Sequence, residues 1–256
     1  MSPNLFSRWV NTFKLMSNHS NKPTLYEDSG HLSLHFSIGS TQSKMKANDP
    51  YRLMLGYTRT VMGFLLFKPY PEHITMIGLG GGSLAKYCYR HLPDSRITVV
   101  EINLEVIALR DRFHIPPNDE RFTVLCEDGA QYVEQPSSLS DILIVDGFEE
   151  TGQAPQLGSQ RFYDYCYASL ETQGVLVINL FGTDPHLNTY INRIRQSFKD
   201  QVIVVAAEDS KNKIVFAAKG KAFRLSAKQL KEKVEYLEAR HPIDFRRVAK
   251  ALKEIA

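Results

Sequence analysis

The chain has 256 residues, enough for one large domain or one domain with a small appendage, and 43% of them are hydrophobic, enough for a sizeable core. Its net charge of +3 is small, its three cysteines are odd in number and far apart, and no apolar run approaches the roughly 20 residues of a membrane span. These features argue against a disulfide scaffold, a cysteine-built zinc site and a membrane-spanning protein, and the expectation is a cytoplasmic one.

The opening residues, MSPNLFSRWVNTFKLMSN, hold no apolar block long enough for a signal peptide. The stretch LYEDSGHLSLHFSIG then alternates polar residues with Leu32, Leu34, Phe36 and Ile38, as a half-exposed antiparallel strand does. Residues 49–67 read as a helix with Asp49 as N-cap and Pro50 in its first turn.

From Thr75 onward, short Val/Ile/Leu-rich runs alternate with helix-length amphipathic segments: ITMIGLG, RITVVEI, FTVLCED, DILIVDGF, GVLVINLF, QVIVVAAE and NKIVFAAK. Near-continuous apolar runs of that length indicate strands buried on both faces, and the helices between them indicate parallel crossovers. Too few residues separate the last two runs for a crossover helix, so they form an antiparallel hairpin. The fold class is therefore α/β: a seven-stranded, Rossmann-like sheet of the S-adenosylmethionine-dependent methyltransferase type with a terminal hairpin and a small N-terminal β segment. The segment RFYDYCYASL places Phe162, Tyr163, Cys166 and Leu170 at helical spacing, which reads as core. Residues 226–256 give two amphipathic helices broken near Pro242, with Ser226 as a cap for the first. From Lys219 to the end there are eleven Lys/Arg against five Asp/Glu, which reads first as charged helix faces and second as a nucleic-acid surface. Three segments are expected: an N-terminal extension with the β segment (1–48), the Rossmann-like domain (49–220) and basic C-terminal helices (221–256).

Gly78, Gly80 and Gly82 sit where the first run turns into a helix, in GxGxG form rather than GxGxxG, because Ser83 follows. Glycines there let the backbone approach a ligand beside the free N–H groups of a helix N-terminus. Glu101 ends the next run, placed to accept hydrogen bonds from ribose hydroxyls. Asp128 ends the third, where it either meets the adenine amine of an S-adenosyl nucleoside or caps the helix after Gly129. The eight histidines show no HxH or HxxxH spacing, so no metal is expected.

These residues resemble the spermidine synthase (polyamine aminopropyltransferase) family over about residues 26–219. The family's GGGDGG corresponds to GLGGGS here, its acid after the second strand to Glu101, and the acid of its GD to Asp128. A family Gln nine residues before a Tyr corresponds to Gln42 and Tyr51. Its DSSDP and the following loop correspond without a gap to DGFEETGQAPQLGSQRFY, in which Gly152, Ala154 and Leu157 are kept. The family's N-terminal β-domain looks shortened.

The resemblance implies displacement at a sulfonium-bound carbon, with S-adenosylmethionine or its decarboxylated form as donor, no metal, and a small cationic amine as acceptor. It also suggests a homodimer; the apolar runs are too short for a membrane span, and no base-reading motif follows the fourth strand, so nucleic acid is not the expected partner. Asp146 corresponds to the family's catalytic Asp and would take or orient the amine proton; its alternative is a turn cap. Tyr51 would bond the same nitrogen, or else pack against the sheet. Glu149 would bind the acceptor amine, or be a solvated loop charge; Glu150 reads as solvated. Two departures bear on the donor. The family Asp that holds the aminopropyl amine corresponds to Gly81, and a family Gln becomes Arg52, which either clamps a carboxylate or is an exposed arginine. On those grounds methyl transfer is the first expectation and aminopropyl transfer to a putrescine-like amine the alternative. A non-catalytic nucleoside-binding scaffold and a nucleic-acid methyltransferase stand behind them.

Overall fold

The computed structural model of the protein describes residues 22–37, 40–149 and 152–253. All seven expected strands form: β4 (His73–Ile77), β5 (Arg96–Glu101), β6 (Phe122–Cys126), β7 (Ser140–Val145), β10 (Leu170–Leu180), β11 (Val202–Ala206) and β12 (Lys213–Ala218). They lie in the order β11-β12-β10-β7-β4-β5-β6. Pairing is parallel from β10 through β7 and β4 to β6, and antiparallel on both sides of β12. The terminal hairpin folds back so that β12, not β11, meets β10. Burial explains the choice: Ile214–Ala218 is buried throughout, whereas β11 leaves Ala206 exposed and takes the edge.

The chain leaves β4 toward β5 and β6 on one side and later crosses to β7 and β10 on the other. The gap between the C-terminal ends of β4 and β7 is therefore the topological switch point, where open α/β sheets bind ligands. Alternate residues of the central strands feed two cores. Ile142 and Ile144 face the layer that holds Leu34, Met45, Phe64 and Phe245; Leu143 and Val145 face the layer with Phe162, Tyr163, Cys166 and Leu170.

Ahead of the sheet, β1 (Thr24–Asp28), β2 (His31–Ser37) and β3 (Ser40–Lys46) make a separate antiparallel sheet. The alternation read as one strand covers β2, which buries Leu32 and Leu34, but β1 also forms, joined by a two-residue turn at Ser29 and Gly30 with φ of 49° and 75°. β3 has a polar sequence, STQSKMK, and still buries Ser43 and Met45 on one face.

The helix expected over residues 49–67 starts later. Residues 49–55 are not helical: Asp49 bridges to Lys46, and a turn at Pro50 and Tyr51, with the Arg52 N–H bonded to the Asp49 carbonyl, leads into an irregular stretch. Helix α1 runs Gly56–Val61 and continues as a 3-10 turn over Met62–Leu66. Its first N–H, on Gly56, is bonded by Asp209, 2.9 Å from both carboxylate oxygens, so a carboxylate far along the chain does the work assigned to Asp49.

Helices α2 (Ser83–His91), α3 (Leu104–Ile107), α4 (Gly129–Glu134), α5 (Gln160–Ala168), α6 (Leu187–Ser197), α7 (Ala227–Glu238) and α8 (Arg246–Lys253) complete the layers. Ser226 caps α7 in a reciprocal box with Gln229. No helix among the described residues is long and apolar enough to cross a membrane.

Candidate active site

The loop after β4 owes its shape to three glycines at positive φ: Gly78 (97°), Gly80 (51°) and Gly82 (65°). They do different jobs. A Cβ on Gly78 would overlap the carbonyl oxygen of Asp146, so this glycine lets the ends of β4 and β7 touch. A Cβ on Gly82, the N-cap of α2, would lie 2.5 Å from Ile115. A Cβ on Gly80 would meet nothing nearer than Ser43 Cβ at 3.9 Å, so the loop opens on free space there, as a cradle for a ligand should.

Glu101, 9% exposed at the end of β5, ties this loop to the sheet. Its Oε2 accepts the Leu79 N–H and its Oε1 the Asn103 N–H, both at 2.8 Å. Burial pushes its pKa up, opposed by the backbone N–H groups of Asn103, Leu79, Gly80 and Ile102. Asp128, after β6, does what its structural alternative foresaw: Oδ1 accepts the Ala130 N–H at 2.8 Å and caps α4. That places it one strand along from Glu101 on the same sheet edge. The open side of the glycine loop and the acids at the ends of β5 and β6 thus lie along one edge of the sheet.

Across the switch point, Asp146 follows β7. The residue is half-buried but its carboxylate lies deep. Oδ1 accepts the side-chain N–H of Asn179 at 2.8 Å and Oδ2 the hydroxyl of Tyr57 at 3.0 Å. Burial raises its pKa, with the two donors pulling the other way. Burial and the neighbouring carboxylate push the Tyr57 phenol well above its ordinary range, so it stays a donor. Asn179 in turn accepts from Asn212 Nδ2 at 2.9 Å.

Tyr57 and Asn179 escaped the sequence reading. Asn179 had a signal, a lone amide near the end of the otherwise apolar VLVINL; Tyr57 had none comparable. The tyrosine expected at Asp146 was Tyr51, but its ring lies under the Arg90 guanidinium, 4.7 Å from the centroid, toward the C-terminal end of α2. The reason is the non-helical stretch over residues 49–55, which separates Tyr51 from the helix that carries Tyr57. Arg52 is exposed on that stretch, and Gln42 is half-buried in β3. Glu149 lies in β8 (Phe148–Glu149), which pairs with β9 (Gly152–Gln153) just beyond Asp146. Glu150 lies outside the described residues.

The wall over Gly81 is built from Ser43 and Phe113. A Cβ on Gly81 would lie 2.5 Å from Ser43 Oγ and 2.9 Å from the Phe113 ring. Lys86 of α2 holds this wall from beneath. It is fully buried, and its ammonium donates to the Phe113 carbonyl at 2.6 Å and lies 3.2 Å from Met45 Sδ. Burial lowers its pKa to about 8. The unfolded chain therefore keeps this proton up to about 10.4 while the folded chain releases it from about 8. Stability should rise with pH across that window. Measured by denaturant unfolding, the wild type should gain on Lys86→Met by roughly 3 kcal/mol between pH 7.5 and 10.5; a flat difference would mean that the buried amine does not titrate there.

A methyltransferase-type sheet, an open glycine loop at its switch point and a buried carboxylate across from it make the frame of a transferase of the S-adenosyl class, the class to which the relatives belong. A family model for the spermine/spermidine synthase domain matches residues 54–221. A polyamine aminopropyltransferase of Neisseria meningitidis serogroup A is 35% identical over 223 residues, covering 86% of this chain and 85% of the relative. Among solved structures, a probable spermidine synthase from Corynebacterium glutamicum superposes with a TM-score of 0.70 at 20% identity, over 84% of this chain and 83% of that one. A spermidine synthase in complex with the transition-state analogue AdoDATO gives 0.64 at 22% identity, over 90% and 84%. The chain belongs to the spermine/spermidine synthase family.

Proposed function

We propose that the protein transfers an aminopropyl group from decarboxylated S-adenosylmethionine to a small diamine or polyamine. The observation that carries this reading is the Asp146 carboxylate, deep at the switch point and held on both oxygens by Tyr57 and Asn179. The attacking amine is charged at neutral pH, so a nearby carboxylate must take or orient its proton before nitrogen can attack. The new bond joins nitrogen to the sulfonium-bound carbon. The carbon–sulfur bond breaks, sulfur keeps the electron pair as a neutral thioether, and the proton passes to Asp146. Gln42, the glycine loop, Glu101 and Asp128 bind the donor nucleoside, and Glu149 meets the acceptor amine. The aminopropyltransferase relatives weigh against methyl transfer, the first expectation from Gly81 and Arg52.

One observation keeps methyl transfer as a second reading. The family's Asp has no room at Gly81 between Ser43 and Phe113, so the donor's amine needs another partner. Calorimetric titration with each donor separates the two. Aminopropyl transfer predicts tighter binding of the decarboxylated form by at least about tenfold, a difference of about 1.4 kcal/mol. The opposite preference, lost in Arg52→Ala, would support methyl transfer, and no binding of either would leave a scaffold.

A further inference from the structure

The segment joining β11 to β12, residues 207–212, carries none of the residues assigned to the donor or the acceptor. It nevertheless contacts Asn179 and the start of α1, the two elements that hold Asp146 from either side. On one side, Asn212 Nδ2 donates to Asn179 Oδ1, so the group that Asn179 has left for Asp146 is its N–H. Reversed, the Asn179 carbonyl would face the carboxylate and only a protonated Asp146 could bond it. On the other side, Asp209 accepts the Gly56 N–H, and a Cβ on Gly56 would overlap that carboxylate. Arg59 Nε pairs with Glu208 at 2.7 Å, while Arg59 Nη1 holds the Leu53 carbonyl at 2.8 Å. The start of α1 is thereby pinned to the turn, and Tyr57 is the next residue after Gly56.

We propose that this turn is the positioning element of the reaction: Asn212, through Asn179, aims a donor at one oxygen of Asp146, and Asp209, through the start of α1, aims the Tyr57 hydroxyl at the other. The inference rests on the reading of Asp146 as the group that takes the amine proton. Tyr57 from α1 and Asn179 from β10 are the side chains bonded to Asp146 among the described residues, and the glycine loop presents only the Gly78 backbone. Glu208, Asp209 and Arg59 stand one residue further out.

The test follows the Asp146 carboxyl by carbon-13 NMR titration of the full-length protein, alongside kcat/KM against pH. Asn212→Asp places a second carboxylate in competition for the Asn179 N–H. Both the titration midpoint and the acid limb of kcat/KM should move to higher pH, and turnover at neutral pH should fall on the order of tenfold. Donor affinity should stay within about twofold, because no donor-binding residue is touched. Asp209→Ala should lower kcat on the order of tenfold in the wild type and add nothing in a Tyr57→Phe background. If Asn212→Asp fails to fold, Asn212→Ala is read by the same midpoint. An unmoved midpoint, or additive effects of Asp209→Ala and Tyr57→Phe, would overturn the positioning role. A wild type without turnover would contradict the functional reading alone, since the titration is read without activity.

Discussion

Asp146→Asn is expected to lower kcat/KM by about 10²- to 10⁴-fold while the donor still binds. The amide matches the carboxylate in shape, so β7 keeps its buried Leu143 and Val145, and the glycine loop keeps its contact with the backbone of residue 146. What changes is proton affinity and polarity. An amide cannot take the amine's proton, and it offers Tyr57 and Asn179 one acceptor where both now find one. Because burial makes the charged carboxylate costly, neutralising it should leave the melting temperature unchanged or raise it. The wild type should lose activity at acid pH as Asp146 protonates, and the variant's residual rate should lack that limb. Kinetics, donor calorimetry and thermal unfolding on the same preparation check all three. A loss of less than about tenfold would remove Asp146 from the chemistry.

Gly78→Ala should carry the largest cost to the fold. The alanine would have to adopt a φ near 97° and push its Cβ into the Asp146 carbonyl, which is backbone and cannot rotate away. Both strands are fixed there: the Gly78 N–H is bonded to Val100 O at 2.8 Å and the Asp146 N–H to Ile77 O at 2.9 Å. The conformational penalty and the overpacking together should cost about 2–4 kcal/mol, lowering the melting temperature by roughly 5–10 °C. Gly80→Ala is the informative contrast. Its Cβ enters open space, so stability should drop by only about 1–2 kcal/mol, from the left-handed conformation. If that space is the donor's cradle, affinity should fall at Gly80 even though the fold survives. Equal effects of the two changes would show that the loop has no ligand-facing side.

The features read correctly from the sequence are those with local causes. Apolar runs became strands, buried on both faces at β4 and β7 and less so toward the edges at β6 and β11, and Ser226 capped α7 because its partner Gln229 is three residues away. Phe162, Tyr163 and Cys166 fell into the core on α5 as their spacing implies, whereas Leu170, also buried, lies past the end of that helix and opens β10. The features that were missed depend on distant chain. Asp49 and Pro50 carry a local start signal, but the helix begins where Asp209 reaches Gly56, 153 residues away. The same displacement moved Tyr51 onto Arg90 and left Tyr57 to meet Asp146. β3 was hidden because its inward face uses Ser43, which a reading by hydrophobicity counts as polar. In the site, the glycines, Glu101, Asp128 and Asp146 could be placed from the order of strand ends. The partners of Asp146 could not, since Asn179 and Tyr57 come from a strand and a helix that meet only in three dimensions.

Aminopropyl transfer onto an amine is the activity we propose for this chain. The most direct measurement is mass-spectrometric analysis of products after incubation with putrescine and each donor separately, with Asp146→Asn as the control. The expected product is a diamine lengthened by one aminopropyl group, formed from the decarboxylated donor and nearly absent with the variant. A methylated amine formed from S-adenosylmethionine, with no product from the decarboxylated donor, would contradict it.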